Sequence, residues 1–250
     1  MIVPHLKGGL GNQLFQIAAS YAHSLDVNDE FGINYNLPHN LGQGNTAINY
    51  KHNVFSNIES TNTIPSNIYH EPDFAYNKIP LQKNILLNGY FQSERYFKNY
   101  KDKIKNLFDF SSIKINKKYS SLKNKVVLHV RRGDYLENND THPSTSLDYY
   151  KKCLKQLDLK SSNVLIVTDD IKNVSREFKD IEYTHINGKS ELEDFVYIMN
   201  ADYIIGCNSS FSWWAAYLSN SNNSFFPKKW FGPAGPKNTS DLYPGSFILV

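Results

Sequence analysis

Residues 126–140 read VVLHVRRGDYLENND, and the change of character inside this stretch decides the fold class. Val126, Val127, Leu128 and Val130 form a continuous apolar run, as expected of a strand covered on both faces of a parallel sheet. His129, Arg131, Arg132 and Asp134 then crowd polar and charged chemistry onto the strand and its exit. In open parallel sheets ligands bind beyond the carboxyl ends of the strands. Charge at the end of a buried strand therefore points to a ligand site.

The same alternation recurs downstream. NVLIVT (163–168), YIIG (203–206) and NSFFP (223–227), the last strand expected, are apolar strands. Helices are expected from near Leu147, over 171–179, through SELEDFVYIMNA (190–201) and through SSFSWWAAYLS (209–219). In the third of these, Leu192, Phe195, Val196 and Met199 share one face. Upstream, MIVPHLKGG leads into LGNQLFQIAASYAHSL, where Leu14, Ile17, Ala18, Tyr21 and Leu25 lie at helical spacing. That is a strand, a glycine turn and a helix, the start of a second, smaller α/β unit. Residues 28–85 are polar, Asn-rich and punctuated by Pro38, Pro65, Pro72 and Pro80, with short strands expected near 31–35 and 85–88. GYFQSERYFKNYKDKIKNLF (89–108) reads as a loop entering a helix, with Tyr96, Tyr100, Ile104 and Leu107 on one side. The lysine-rich segment 111–125 sets the boundary, giving an N-terminal α/β domain over 1–115 and a C-terminal one over 116–250.

Composition narrows the function classes. The chain has 250 residues, is 40% hydrophobic and 14% aromatic, and carries a net charge of +3. That suffices for two packed cores. Its lysines are dispersed rather than gathered in a stripe with interleaved aromatics, so nucleic acid is not an expected partner. Cys153 and Cys207 stand far apart without companions at ligand spacing, which suggests buried thiols in a reducing compartment and no zinc site. No apolar run reaches membrane-spanning length, and MIVPHL reads as a strand rather than a leader. A cytoplasmic location follows as the expectation, compatible with peripheral work at a membrane on lipid-linked material.

Three polar clusters follow strands: HVRRGDY, then Thr168–Asp169–Asp170, then CNSSFS. Ser209 and Ser210 open a helix and read either as an N-cap or as part of an anion site. Asp169 and Asp170 are likewise either caps or ligand contacts. Arg131 and Arg132 would alternate faces if the strand continued, so one can meet a ligand while the other pairs with Asp134 or another acid. A structural ion pair is the alternative reading, but a diphosphate held by arginine, backbone amides and serine explains the clusters jointly. No D-x-D occurs, so a metal-bridged diphosphate is not indicated. An arginine can neutralise the charge of a leaving diphosphate instead. The glycine turn GGLGNQ (8–13) lets backbone amides approach a phosphate or sugar. Trp213 and Trp214 read as core, with a carbohydrate platform as the alternative, and His129 as an orienting group rather than a base.

Together, GGLGNQLFQIA, GYFQSERYF, HVRRGDY, LDYY, VTDD and NSSFSWWAAYL resemble, in order and wording, the bacterial and viral α-1,2-fucosyltransferases, relatives of the wider fucosyltransferases with an H-x-R-R-x-D motif. The matches run from residue 8 to about 218. The resemblance implies a GT-B-type fold, two Rossmann-like α/β domains facing across a cleft, the second holding the donor nucleotide. It implies inverting transfer of L-fucose from GDP-β-L-fucose to O2 of a terminal galactose of a glycan, with no metal or cofactor beyond the donor. By motif, Arg131 would contact the diphosphate, Arg132 brace the loop and His129 lie near the nucleotide. Asp169 or Asp170 would lie by guanine and ribose, and Ser209, Ser210 and Phe211 would cradle GDP. Asn12, with the turn containing Gly9 and Gly11, would close over diphosphate and sugar. Asp134 is the motif's candidate base or an arginine's partner. Another acceptor sugar or linkage, another GDP-sugar, and a GDP-sugar or glycan binder without turnover stay open as alternatives.

Overall fold

The computed structural model describes residues 1–38, 44–133, 139–157, 163–186 and 188–250. The chain divides into two compact units, Met1–Ser112 with Asn238–Pro244, and Ile113–Lys237 with Gly245–Val250.

The first unit is a three-stranded parallel sheet. Strands β1 (Ile2–Pro4), β2 (Asn67–His70) and β3 (Ile85–Asn88) lie in the order β1-β3-β2, with Val3 opposite Leu86 and Leu86 opposite Ile68. Helix α1 (Leu10–Val27) buries Leu14, Phe15, Ile17 and Ala18 completely and ends at Asn28 in left-handed backbone, φ 49. The strand expected near 31–35 is reduced to two isolated parallel bridges, Ile2 with Phe31 and Ile33 with Ser60. Asn34 explains this: its Oδ1 accepts the Asn36 N–H at 3.0 Å, a local turn that competes with a ladder. Strand β2 escapes the sequence reading because its residues are mostly exposed and show no apolar alternation. After residue 93 two 3₁₀ turns, Glu94–Tyr96 and Lys98–Tyr100, precede the short helix α2 (Lys101–Leu107), which buries Ile104 and Leu107.

The second unit carries β4 (Lys125–Val130), β5 (Asn163–Thr168), β6 (Thr184–Ile186), β7 (Tyr203–Ile205), β8 (Asn223–Phe226) and β9 (Ile248–Leu249) in one sheet. The order is β6-β5-β4-β7-β8-β9 and each pairing is parallel. Strand β4 is central, with Val127 between Leu165 and Ile204 and five of its six residues buried. Removing each such aliphatic side chain from water contributes roughly 1.5–3 kcal/mol, which is why this run anchors the sheet. The expected final strand at 223–227 is β8, but it is followed by β9, a two-residue strand too short to leave a pattern. Helices α3 (Lys117–Ser120), α4 (Leu147–Leu157), α5 (Ile171–Glu177), α6 (Glu191–Met199) and α7 (Ser210–Leu218) complete the unit. Trp213 and Trp214 are fully buried, Trp213 stacked on Tyr217 at 4.9 Å between centroids, so they are core.

Counted within this unit, the strand order is 3-2-1-4-5-6, the dinucleotide-binding arrangement, and it reverses between β4 and β7. The crevice at the carboxyl ends of those two strands is where such sheets bind ligands.

Candidate active site

His129 lies one residue before the end of β4 and is 5% exposed. Its Nδ1 lies 3.3 Å from Cys207 Sγ, just beyond β7, and its ring is 5.5 Å from that of Phe211 on α7. Burial, reinforced by the Arg131 charge, lowers the imidazole to about 3, so it stays neutral near pH 7. That suits an orienting group and disqualifies it as a proton acceptor. Burial pushes the Cys207 thiol up to about 12, leaving it inert.

The two arginines separate at the strand end. Arg132 is buried and forks onto Glu177 at the end of α5, Nε to Oε2 at 2.9 Å and Nη2 to Oε1 at 2.8 Å, while Nη1 donates to the Arg131 carbonyl at 3.0 Å. Arg131 is 29% exposed, with Nε 3.4 Å from Asp169 Oδ2. Asp169, just past β5, also uses Oδ1 to accept the Arg132 N–H at 2.8 Å and the Gly133 N–H at 3.3 Å. One carboxylate thus fixes the loop after β4 and orients Arg131. Asp170 instead caps α5, accepting from the Asn173 N–H at 3.1 Å and from Asn173 Nδ2 at 2.5 Å, which holds its carboxyl below the usual range. Asp134 lies outside the described residues.

From β7, Ser209 caps α7 by accepting the Phe211 N–H at 3.3 Å, and Ser210 is the first helical residue. The amides of that helix start and the positive end of its dipole lie at the reversal point, a favourable place for an anion. Phe211 packs edge-on against Phe195 at 5.1 Å as well as against His129.

Three positioning residues were not anticipated from the sequence. Tyr149 donates its hydroxyl to the Gly206 carbonyl and Tyr150 to the His129 carbonyl, both at 2.8 Å, so the LDYY tyrosines clasp the ends of β7 and β4. The signal was present in two adjacent tyrosines opening a helix. Asn208 is buried and donates Nδ2 to the Pro143 and Trp230 carbonyls at 3.0 and 2.9 Å, while its Oδ1 accepts from Thr145 at 3.0 Å.

In the first unit, Gly9 is the N-cap of α1 and its carbonyl accepts the Asn12 and Gln13 N–H groups at 3.0 and 3.1 Å; Gly11 is buried in the first turn. Gly8 has φ +73, and a Cβ there would come within 2.5 Å of Asn12 Nδ2. Gln13 Nε2 donates to the Gly8 and Asn45 carbonyls, each at 2.8 Å, and Gln92 Nε2 donates to Asn12 Oδ1 at 2.7 Å. The GGLGNQ and GYFQ motifs therefore meet at Asn12. Among the described residues no group of three His, Cys, Asp or Glu side chains is placed to hold a metal ion, and no helix is long and apolar enough to cross a membrane.

A model of glycosyl transferase family 11 matches residues 46–226, more than half of the chain. The chain belongs to glycosyl transferase family 11. Among curated relatives, the family 11 chain is 29% identical to an α-1,2-colitosyltransferase of Escherichia coli, covering 100% of this chain and 99% of that one. It is 26% identical to the Escherichia coli O-antigen biosynthesis glycosyltransferase WbnK, covering 97% and 98%. The crystal structure of the fucosyltransferase NodZ from Bradyrhizobium superposes with a TM-score of 0.54 at 12% identity, over 87% of this chain and 92% of that one. The protein is a glycosyltransferase with the GT-B-type fold, built from two Rossmann-like α/β units.

Proposed function

We propose that this family 11 enzyme transfers L-fucose from GDP-β-L-fucose, with inversion, to the 2-hydroxyl of a terminal galactose. The observation that carries the reading is Arg131, oriented by Asp169 at the exit of β4, where the neighbouring strand β7 leads into α7 at the reversal point of a 3-2-1-4-5-6 sheet. Fixed positive charge there fits a nucleoside diphosphate.

In the reaction the acceptor oxygen forms a bond to the anomeric carbon of fucose as the bond from that carbon to the β-phosphate oxygen breaks. The electron pair leaves on GDP, and Arg131 with the helix amides stabilises the charge that develops. The acceptor's hydroxyl proton passes to a carboxylate, with Asp134 as the motif's candidate, or to solvent. The second unit would be the nucleotide-binding domain and the first the acceptor-side domain.

The Escherichia coli relative named as a colitosyltransferase favours a second reading, in which colitose replaces fucose on the same nucleotide. The deciding experiment measures GDP release from the fucosyl and colitosyl donors in EDTA, with and without a panel of β-galactosides. Galactoside-dependent release from GDP-fucose is the expected result. Preference for the colitosyl donor would replace the sugar, release with no galactoside dependence would remove the acceptor, and saturable binding without release would leave a binding protein.

A further inference from the structure

At the carboxyl edge of the first sheet, residues 88–92 are held in a shape they do not favour. Phe91 has φ 52, left-handed backbone that bulky residues seldom adopt. Gly89 has no room for a side chain, since a Cβ there would meet Glu71 Cβ at 2.4 Å. Glu71 holds the segment in place: it accepts the Tyr90 N–H at 2.6 Å, the Phe91 N–H at 3.0 Å from both oxygens, and the Tyr96 hydroxyl at 3.3 Å. Backbone strain persists where the surroundings over-determine it, and it clusters at ligand sites.

The strained turn has two consequences. It buries the Phe91 ring, edge-on to Tyr96 at 5.2 Å and stacked on Tyr69 at 6.4 Å, and it turns Tyr90 outward, 41% exposed. A row of polar groups at the sheet edge begins over one face of the Tyr90 ring. Lys7 Nζ lies 4.7 Å from the ring centroid and donates to Asn88 Oδ1 at 3.1 Å, and Asn88 Nδ2 is 3.2 Å from His70 Nδ1. Two residues on, Gln92 Nε2 donates to Asn12 Oδ1 at 2.7 Å.

We propose that the face of Tyr90 turned away from Lys7, with Lys7 and Asn88 at its edge, is the platform on which the terminal pyranose of the acceptor glycoside stacks. The inference rests on the glycosyl-transfer reading and names the acceptor contact in it. The C–H face of a pyranose packs on the electron-rich face of an aromatic ring. Its equatorial hydroxyls meet the Lys7 ammonium and the Asn88 amide, which supply donors and an acceptor. Burial lowers the Lys7 ammonium from its ordinary value and the Glu71 carboxylate opposes that shift by balancing the charge, so the platform suits a neutral sugar rather than an acidic one.

The test compares wild type with Tyr90→Ala, Tyr90→Phe and Tyr90→Trp. Binding of methyl β-galactoside, β-glucoside and β-N-acetylglucosaminide is followed by ligand-observed NMR in the presence of GDP, and GDP-fucose is titrated separately. Thermal unfolding verifies that each variant folds. Tyr90→Ala should weaken binding of at least one glycoside by about tenfold or more, whereas the Phe and Trp variants stay within about threefold and donor affinity does not change. Unchanged glycoside binding in the Ala variant, an equal loss in the Phe variant, or a wild-type protein that binds none of the panel overturns the platform. A wild-type protein that fails to bind GDP-fucose would sink the donor reading instead, and the glycoside comparison would still decide the platform.

Discussion

Arg132 and Glu177 form a two-pronged ion pair, with the guanidinium 4% exposed and the two N–O distances 2.9 and 2.8 Å. The pair joins the loop after β4 to the end of α5, in a chain that also includes Asp169 and Arg131. A lysine offers a single point charge and cannot reproduce the fork. Breaking a buried pair on one side leaves its partner uncompensated, at a cost of roughly 3–5 kcal/mol. Glu177 is about one-third exposed, so the lower end applies. Arg132→Met, which removes the charge, should lose about 3 kcal/mol in urea unfolding at pH 7, and Arg132→Lys, which keeps a charge without the fork, should lose less. A variant as stable as wild type would show that the pair does not brace the loop.

Arg131→Ala should behave in the opposite way. The 3.4 Å contact of Arg131 with Asp169 is partly exposed on both sides and contributes at most about 1 kcal/mol to stability. Loss of a group that stabilises developing charge costs about 10²–10³ in turnover. The expected result is a kcat reduced by that factor with a Tm within a few degrees of wild type. Near-normal turnover would remove Arg131 from the diphosphate site.

Tyr150→Phe tests the clasp on β4. The hydroxyl satisfies the buried His129 carbonyl at 2.8 Å, and leaving that carbonyl unpaired costs about 1–3 kcal/mol. The variant should be destabilised by that amount and should bind GDP more weakly, because the end of β4 carries the Arg131 loop. Tyr149→Phe should do the same at the Gly206 carbonyl just beyond β7. A stability loss with unchanged GDP affinity would confine the clasp to folding.

These pairs also show what the sequence could and could not reveal. Val126 to Val130 announced a buried parallel strand, because burial on both faces leaves an unbroken apolar run. The position of the candidate site followed as an expectation, since parallel topology puts strand exits on one edge. The division of labour did not follow. Whether Arg131 or Arg132 faces solvent depends on where β4 stops pairing, and the acid that takes Arg132 is Glu177, 45 residues away. Asp169 and Asp170 are adjacent and chemically identical, yet one organises the arginine loop and the other caps α5. Glu71 gave no signal at all, because its role depends on the fold placing β2 beside β3.

Asp194 sets a pH dependence whose sign can be worked out. It lies on α6, its Oδ1 accepts the Gly188 N–H at 3.2 Å, and burial, with the charges of Glu193 and Glu191, raises its carboxyl to about 6. In the unfolded chain an aspartate titrates near 3.9. Between these values the folded protein binds more protons than the unfolded one, so this residue's contribution to stability falls as pH rises through that window. Above pH 6 the partly buried carboxylate is a standing cost. His129, held neutral in the folded state, contributes the opposite slope, because stability is lost as pH falls below its unfolded value of about 6.5. The two are separated by comparing Asp194→Asn with wild type, since the histidine is common to both and the Asn Oδ1 still accepts the Gly188 N–H. The variant should be more stable at pH 8 by about 1 kcal/mol, allowing for partial solvent screening, and equal to wild type below about pH 4. Urea midpoints at pH 4, 5.5 and 8 measure the difference directly. A gap that does not change with pH would place the titrating group elsewhere.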